Sequence, residues 1–236
     1  MRHTIGWPCP LPGGGTAQEL ALIFDAEGAL RSASRVLIVP ALFDEGNKMR
    51  RFTVEVMRRL AMSGVGCVLP DLPGCNESLL PLETQSPGDW QLAMEGALHH
   101  FGCTHALSIR GGALVAPRGI PGWRYARVAG ASQLRQMMRA RILMAREAGH
   151  AETQDSLLAI GGEHGLELAG YALGPDFIRE FSGLVPDAAS PMIDVGQDLV
   201  GGPGLWLRAE PDEDPTQSDA LAAIIAIALH QRELAQ

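Results

Sequence analysis

Positive charge is scarce in this chain of 236 residues, and lysine is almost absent. The sequence has 19 lysines and arginines against 27 acidic residues, which gives a formal net charge of −8. A chain with so little positive charge is not expected to bind duplex nucleic acid through a basic surface. Lys48 is the single lysine among these basic residues. The arginine bias reflects overall composition, so the position of Lys48 is the informative exception.

Long apolar runs are missing as well. The longest, residues 221–229, falls short of the ~20 apolar residues that cross a bilayer, so we expect no membrane span. The first 15 residues contain three prolines and four glycines instead of the apolar run of a secretory signal. The four cysteines lack Cys-x-x-Cys spacing, which argues against a disulfide scaffold or a metal site. We predict a cytoplasmic protein with reduced thiols, no metal and no cofactor.

What is present is the composition of a packed globular protein. Apolar residues make up 46% of the chain and charged residues 19%, values that exclude disorder, collagen and a coiled coil. A chain of this length is near the upper limit of one hydrophobic core, so we expect a single domain over residues 1–236.

Short apolar segments alternate with amphipathic ones along the chain. This alternation predicts an α/β fold with a mostly parallel central sheet and helices on both faces. Residues 149–165 are a candidate lid or small insertion. The predicted strands are residues 20–24, 36–43, 66–69, 105–109, 125–129, 166–171, 192–195 and 205–209. The predicted helices are residues 48–63, 87–101, 132–148, 175–181 and 218–234.

A tight strand-to-helix turn is the main candidate for a functional site, because ligands bind beyond the carboxyl ends of parallel strands. Residues 107–116 read Leu-Ser-Ile-Arg-Gly-Gly-Ala-Leu-Val-Ala, which has the form of the nucleophile elbow of α/β-hydrolases. Arg110 occupies the nucleophile position of this turn. An arginine is always protonated and cannot attack a carbonyl group, so the usual acyl-enzyme route is closed at this position.

Two further segments extend the resemblance to the α/β-hydrolase fold. Residues 36–40 followed by a loop are similar to its oxyanion strand, and residues 71–78 are similar to the turn after its next strand. More narrowly, the loop containing Asn47 and Lys48 resembles that of the second family of exosortase A system-associated hydrolases. The arginine elbow, residues 169–173, and Trp206 followed by Glu210 are also similar to that family. The resemblance implies an accessory protein of bacterial exosortase and exopolysaccharide systems.

The catalytic histidine of such a hydrolase is missing from its expected place. A working triad needs a histidine after the last strand, where this sequence has residues 210–215, Glu-Pro-Asp-Glu-Asp-Pro. His230 lies within the last predicted helix, and His150 and His164 come too early in the chain. Both the nucleophile and the base of the usual mechanism are therefore absent from their positions.

The residues around the elbow suggest a charged site instead. Arg110, with the N–H groups of Gly111 and Gly112, suits an anion, and we expect Arg110 to pair with Glu45 or Glu210 because a buried charge needs a partner. The predicted catalytic residues are Arg110, Glu45, Lys48, Asn47 and Glu210. The predicted substrate-binding residues are Gly111, Gly112, Asp71, Phe43 and Ser132.

Two functions follow from this arrangement. One is a hydrolase of ester or thioester bonds, in which Arg110 and Lys48 hold an acyl or anionic substrate while Glu45 or Glu210 activates water. The other is an inactive descendant that binds a small molecule or exopolysaccharide-system proteins. An apolar stripe on residues 134–144 belongs to the core or to a homodimer contact. A carboxylate paired with Arg110 through both oxygens would indicate the inactive protein.

Secondary candidates carry simpler interpretations. Ser108 is expected to pack against the sheet, and Ser132 to cap the helix that begins there. Cys75 follows the strand at 66–69, with no histidine placed to activate it.

Overall fold

A computed structural model describes residues 1–28 and 32–234. The strands are β1 (Arg2–Pro10), β2 (Thr16–Phe24), β3 (Arg35–Val39), β4 (Gly66–Pro70), β5 (His105–Ile109), β6 (Gly122–Tyr125), β7 (Leu166–Leu168), β8 (Tyr171–Leu173) and β9 (Met192–Val195). The helices are α1 (Asp44–Lys48), α2 (Arg50–Met62), α3 (Pro87–His100), α4 (Gly130–Glu147), α5 (Gln154–His164), α6 (Pro175–Gly183), α7 (Gln197–Val200) and α8 (Pro215–Leu234). Short 3₁₀ helices span Leu82–Thr84, Arg110–Leu114 and Leu205–Leu207.

Seven strands form the central sheet, in the order β1-β2-β4-β3-β5-β6-β9. Strands β4, β3, β5, β6 and β9 are mutually parallel, and β2 pairs antiparallel with both β1 and β4. Strands β7 and β8 form a separate antiparallel hairpin. The predicted mostly parallel sheet is therefore confirmed.

Both faces of the sheet are covered, as the apolar residues 36–39 of β3 and the fully buried β4 require. In β3, Leu37 and Val39 join one core with Trp90 of α3 and Phe177 of α6, whereas Val36 and Ile38 join the opposite core. Successive side chains of a strand point to opposite faces, so a continuous apolar strand needs helices on both sides. Helices α2 and α8 pack together over the second face. The predicted two-sided arrangement is confirmed.

The first strand departs from the sequence-based prediction, which placed no strand in the first 15 residues. Prolines cannot donate to a sheet ladder and argue against a central strand. Strand β1 nevertheless pairs with β2 over its whole length, with Pro8 opposite Gln18 and Pro10 opposite Thr16. It tolerates these prolines because it lies at the edge of the sheet, where one side of the ladder has no partner strand.

The predicted last strand at residues 205–209 is wrong. Leu205–Leu207 form a 3₁₀ turn instead, and the sheet ends at β9 among the described residues. The preceding residues 201–204 read Gly-Gly-Pro-Gly, with φ of 83° at Gly201 and 68° at Gly202. These values take the chain out of extended geometry, and Trp206 then packs back onto the end of β6.

The remaining elements differ from the predictions mainly at their ends. The predicted strand 166–171 contains β7, a turn and the first residue of β8 rather than one strand, and β6 ends at Tyr125, where a strand was expected to begin. The candidate lid, residues 149–165, contains α5, which contacts α4 and α6 and buries Leu157. Among the described helices, none has both the length and the hydropathy that spanning a membrane would take.

Candidate functional site

The turn after β5 has the strained geometry of an elbow. Arg110 adopts φ of 52°, a left-handed conformation that side chains other than glycine rarely take and that costs about 1–3 kcal/mol. Gly112 lies directly against β3, where a Cβ atom would overlap the carbonyl oxygens of Pro40 and Val39. Only glycine permits this close approach of the turn to the neighbouring strand.

Arg110 pairs with Glu45 through both carboxylate oxygens. Its Nε donates to Glu45 Oε2 at 3.0 Å, and its Nη2 donates to Oε1 at 2.9 Å. Arg110 is 9% exposed and Glu45 3% exposed. A bidentate pair is the strongest geometry available to an arginine and a carboxylate. Of the two partners expected for Arg110, the structure places Glu45 against it.

Two further contacts use the rest of the guanidinium. Arg110 Nη1 donates to the carbonyl oxygen of Ala126 at 2.7 Å, and the Trp206 ring lies 4.1 Å from Arg110 Cζ. The flat face of the guanidinium therefore rests on an aromatic ring, a favourable cation–π contact. These contacts, added to Glu45, hold Arg110 as an internal structural element.

The side chain of Gln133 of α4 lies beside Gly111 of the elbow. Gln133 is 3% exposed, its Nε2 donates to the carbonyl oxygen of Leu42 at 3.0 Å, and its amide lies where a Cβ of Gly111 would be. In active α/β-hydrolases the N–H after the nucleophile and an N–H of the β3 loop hold the oxyanion. In this chain Gln133 contacts both corresponding segments, at Gly111 and at the carbonyl oxygen of Leu42.

The single lysine and its neighbouring asparagine turn away from Arg110. Lys48 Nζ lies 2.8 Å from Asp44 Oδ2, an ion pair one helical turn apart. Asn47 Nδ2 donates to the hydroxyl of Tyr171 at 3.0 Å. Lys48 lines a cavity of about 210 Å³ and Asn47 a different one of about 500 Å³. The structure thus does not bring Lys48, Asn47 and Arg110 to one point.

Asp71 lies on the wall of the larger cavity and is 6% exposed. Its Oδ1 accepts from Asn76 Nδ2 at 2.7 Å, and Arg50 Nη1 is 3.9 Å away. Burial raises the pKa of Asp71, and the Asn76 hydrogen bond and the Arg50 charge oppose this only in part. Asp71 follows β4, and β3 lies between β4 and the strand β5 that leads to the elbow, so Asp71 is not beside Arg110.

Glu19 of β2 is a second buried carboxylate near Asp71. It is 1% exposed, its Oε1 accepts from the Ser78 hydroxyl at 2.7 Å, and its Oε2 has no hydrogen-bond partner in the described part of the chain. Burial is the main cause of the raised pKa of Glu19, and the charge of Asp71 adds to it.

The other predicted site residues are dispersed. Glu210 and Ser132 are exposed; Ser132 lies in the first turn of α4, whose N-cap is Ala129, so its predicted capping role is wrong. Phe43 is buried among the rings of Trp90, Tyr171, Phe177 and Phe181.

Neither of the remaining candidate nucleophiles is activated. Ser108 is fully buried in β5, and its hydroxyl lies 3.5 Å from the carbonyl oxygen of Trp123. Burial, with the charges of Asp71 and Glu19, raises the pKa of Cys75 to about 12. The thiol therefore stays protonated at neutral pH and is a poor nucleophile.

Sequence reasoning missed Gln133 and Glu19, and it noted Trp206 only through the family resemblance. Glu19 carried a usable signal, because it is the one charged residue in the strand Thr16–Phe24. Gln133 carried none, since a glutamine in the first turn of a helix is ordinary on a solvent-facing surface.

Comparisons with known proteins identify the fold. No family model matches the chain, and no curated protein matches it. Solved structures do. They include the α/β hydrolase GrgF from Penicillium sp. sh18, at 11% identity, with 83% of this chain and 80% of that chain covered and a TM-score of 0.52.

Two other structures match over nearly the whole chain. Est1E from Butyrivibrio proteoclasticus, with ferulic acid bound, is 12% identical, with 93% of this chain and 95% of that chain covered and a TM-score of 0.52. Proline iminopeptidase from Mycobacterium smegmatis is 13% identical, with 98% and 99% covered and a TM-score of 0.50. The chain has the α/β-hydrolase fold, as predicted. At such identities the likeness establishes the fold and not the activity.

Proposed function

We propose that this chain is a catalytically inactive protein with the α/β-hydrolase fold, which acts as a cytoplasmic ligand-binding accessory protein of bacterial exosortase and exopolysaccharide systems. The observation that carries the inactive state is the bidentate pair of Arg110 and Glu45 at the nucleophile position. The exosortase association rests on the resemblance of the Asn47-Lys48 loop, the turn at Asp71 and the Arg110 elbow.

The alternative, a hydrolase that uses these residues, is less well supported, because Glu45 is occupied by Arg110 and the side chain of Gln133 lies beside Gly111. Both oxygens of Glu45 bond to Arg110, which leaves neither of them unpaired to accept a proton from water. His230 makes a contact of 2.8 Å with the carbonyl oxygen of Ser63 and lies in α8, away from the elbow.

An activity screen tests the inactive state. We expect no turnover of p-nitrophenyl esters or acyl thioesters of short and long chains, and no labelling by a fluorophosphonate probe. Turnover that is kept in Ser108→Ala but lost in Arg110→Met would contradict the proposal and support a hydrolase built on Arg110. Labelling of Ser108 or Ser132 would contradict it in favour of a serine enzyme.

A genetic experiment tests the association separately. Deletion of the gene from the bacterium that encodes it should lower secreted exopolysaccharide, and a plasmid copy should restore it. An unchanged yield after deletion would overturn the association, whatever the result of the activity screen.

A further inference from the structure

One cavity lies beside the elbow rather than at it. It has a volume of about 500 Å³ and opens beyond the carboxyl ends of β3 and β4, between α1 and the turn that follows Asp71. Arg110 and Glu45 are not among its lining residues. Leu42 and Phe43 line both this cavity and the smaller one at Lys48, and so form the partition between them. A volume of this size suits a small organic molecule.

Asp71 presents an unused oxygen at this cavity. Its Oδ1 takes both nearby partners, Asn76 and Arg50, while its Oδ2 makes no hydrogen bond or ion pair to any residue in the described ranges 1–28 and 32–234. A carboxylate that is more than nine-tenths buried and has lost part of its hydration gains from a donor placed against the open oxygen.

The charges around the cavity favour a cation over an anion. Asp71 and Glu77 line it against the single arginine, Arg50, which is 3.9 Å from Asp71 and outside hydrogen-bond distance. Glu19 lies close to Asp71, and the charge of Asp71 adds to the burial that raises the pKa of Glu19. The charge of Glu77 likewise adds to the burial that raises the pKa of Asp71. The cations that could have held an anion nearby are already paired, Arg110 with Glu45 and Lys48 with Asp44.

The rest of the lining carries no charge, and part of it is apolar. Leu42, Leu72 and Phe43 contribute side chains at the base of the cavity. The burial of Cys75 keeps its thiol protonated, so Cys75 adds no charge. A ligand that matches this wall carries its charge at one end only.

We propose that this cavity binds a small primary amine, with the ammonium group on Asp71 Oδ2 and a short apolar body against Leu42, Leu72 and Phe43. This inference deepens the proposed ligand-binding function and rests on it. The amine donates up to three hydrogen bonds, and its positive charge offsets the local excess of carboxylates.

Calorimetric titration of the full chain with three probes of one shape tests the charge preference. The probes are 2-phenylethylamine, 2-phenylethanol and phenylacetate, which share the aromatic body and differ in the charge of the head. We expect binding of the amine, at least about tenfold weaker binding of the alcohol because the charge-assisted bond is lost, and no binding of phenylacetate.

Paired variants of opposite charge locate the site. Asp71→Asn keeps the size of the side chain and an acceptor for Asn76, and should weaken amine binding at least about tenfold. Arg50→Gln should leave amine binding unchanged or tighter, because it removes the competing cation. Lys48→Gln, in the neighbouring cavity, is the matched control and should have no effect. Glu77→Gln removes an exposed carboxylate and should weaken binding even if Asp71→Asn fails to fold.

Three results would overturn the inference. These are preference for phenylacetate that Arg50→Gln abolishes, absence of amine binding, and amine binding that neither Asp71→Asn nor Glu77→Gln changes. Each is distinguishable from failure of the proposed function, which would show itself as ester or thioester turnover in the activity screen.

Discussion

At the scale of single residues, Arg110 shows how a buried charge is stabilised at the tip of a strand-to-helix turn. The elbow backbone keeps its left-handed conformation at Arg110, but the side chain turns to Glu45, Ala126 and Trp206. A buried guanidinium without partners would be strongly unfavourable. The residues around the turn are thus required to keep Arg110 itself satisfied.

Removing one member of this pair should therefore destabilise the protein by more than the packing of the removed side chain contributes, because the other member is left buried without its partner. Arg110→Met and Glu45→Gln should each lower the free energy of unfolding by about 3–5 kcal/mol, because each leaves an unpaired buried partner. The double variant should recover much of this loss. Urea-induced unfolding of all four proteins provides the measurement.

The chain contains a matched control on its surface. Arg141 and Glu152 form a pair of the same bidentate geometry, at 3.0 and 2.9 Å, with both side chains partly exposed. Arg141→Met should cause a clearly smaller loss of stability, because water screens an exposed pair. Equal losses at the two pairs would contradict the structural role of burial at Arg110.

At the scale of elements, the strand-to-helix turn depends on its contact with β3. The turn crosses the end of β3 at Gly112, and the loop that follows β3 leads into α1, which carries Glu45. The position of Glu45 opposite Arg110 therefore depends on how closely the two backbones approach.

Adding one methyl group at Gly112 tests this approach. Gly112→Ala would place Cβ on the carbonyl oxygens of Pro40 and Val39, and backbone atoms cannot move aside as a flexible side chain can. We expect a loss of at least about 1–3 kcal/mol, the usual cost of overpacking, by thermal or urea unfolding. Gly13→Ala, whose Cβ would meet no atom within 4 Å, should be neutral. Wild-type stability of Gly112→Ala would refute the contact.

The predictions of helices and strands succeeded where the local pattern of apolar residues determines the element. They failed where a position at the edge of the sheet or a tertiary contact determines it. Residues 105–109 and 192–195 are strands as predicted; residues 106–109 are buried throughout, and Met192 and Val195 are buried at the two ends of β9. Strand β1 was missed because prolines argue against a strand only when both edges are paired. Residues 205–209 contain apolar side chains that suit a strand. Leu205–Leu207 form a 3₁₀ turn instead, in which Leu205 is buried and from which Trp206 packs on Tyr125 and Arg110.

At the scale of the whole molecule, the excess of acidic residues is also present inside the protein. Glu19 and Asp71 are both buried carboxylates with raised pKa values. A raised pKa in the folded state means that the folded protein holds the proton more tightly than the unfolded chain does. Such a group contributes stability at low pH, and this contribution is lost as the pH rises through the folded-state pKa.

Removing the charge of Glu19 should therefore change the pH dependence of stability. The stability of Glu19→Gln relative to wild type should increase as the pH rises from about 4.3, the ordinary glutamate pKa, with a slope no steeper than about 1.4 kcal/mol per pH unit. Urea unfolding between pH 4 and 8 measures this difference. Glu83→Gln, which removes an exposed carboxylate, is the control. A difference that falls with pH, or one equally large in the control, would contradict the effect of burial.

The sequence alone was enough to predict the alternating apolar strands, the parallel sheet and the absence of a nucleophile at residue 110, because these depend on residue type and local periodicity. It also contained the Asp44 and Lys48 spacing of an ion pair one helical turn apart, which was overlooked. Only the tertiary structure decided that Glu45 and not Glu210 meets Arg110, that Lys48 and Asn47 line separate cavities, and that the larger cavity lies at Asp71. These outcomes depend on the directions in which side chains leave the turns after different strands. The spacing of residues along the sequence does not determine those directions.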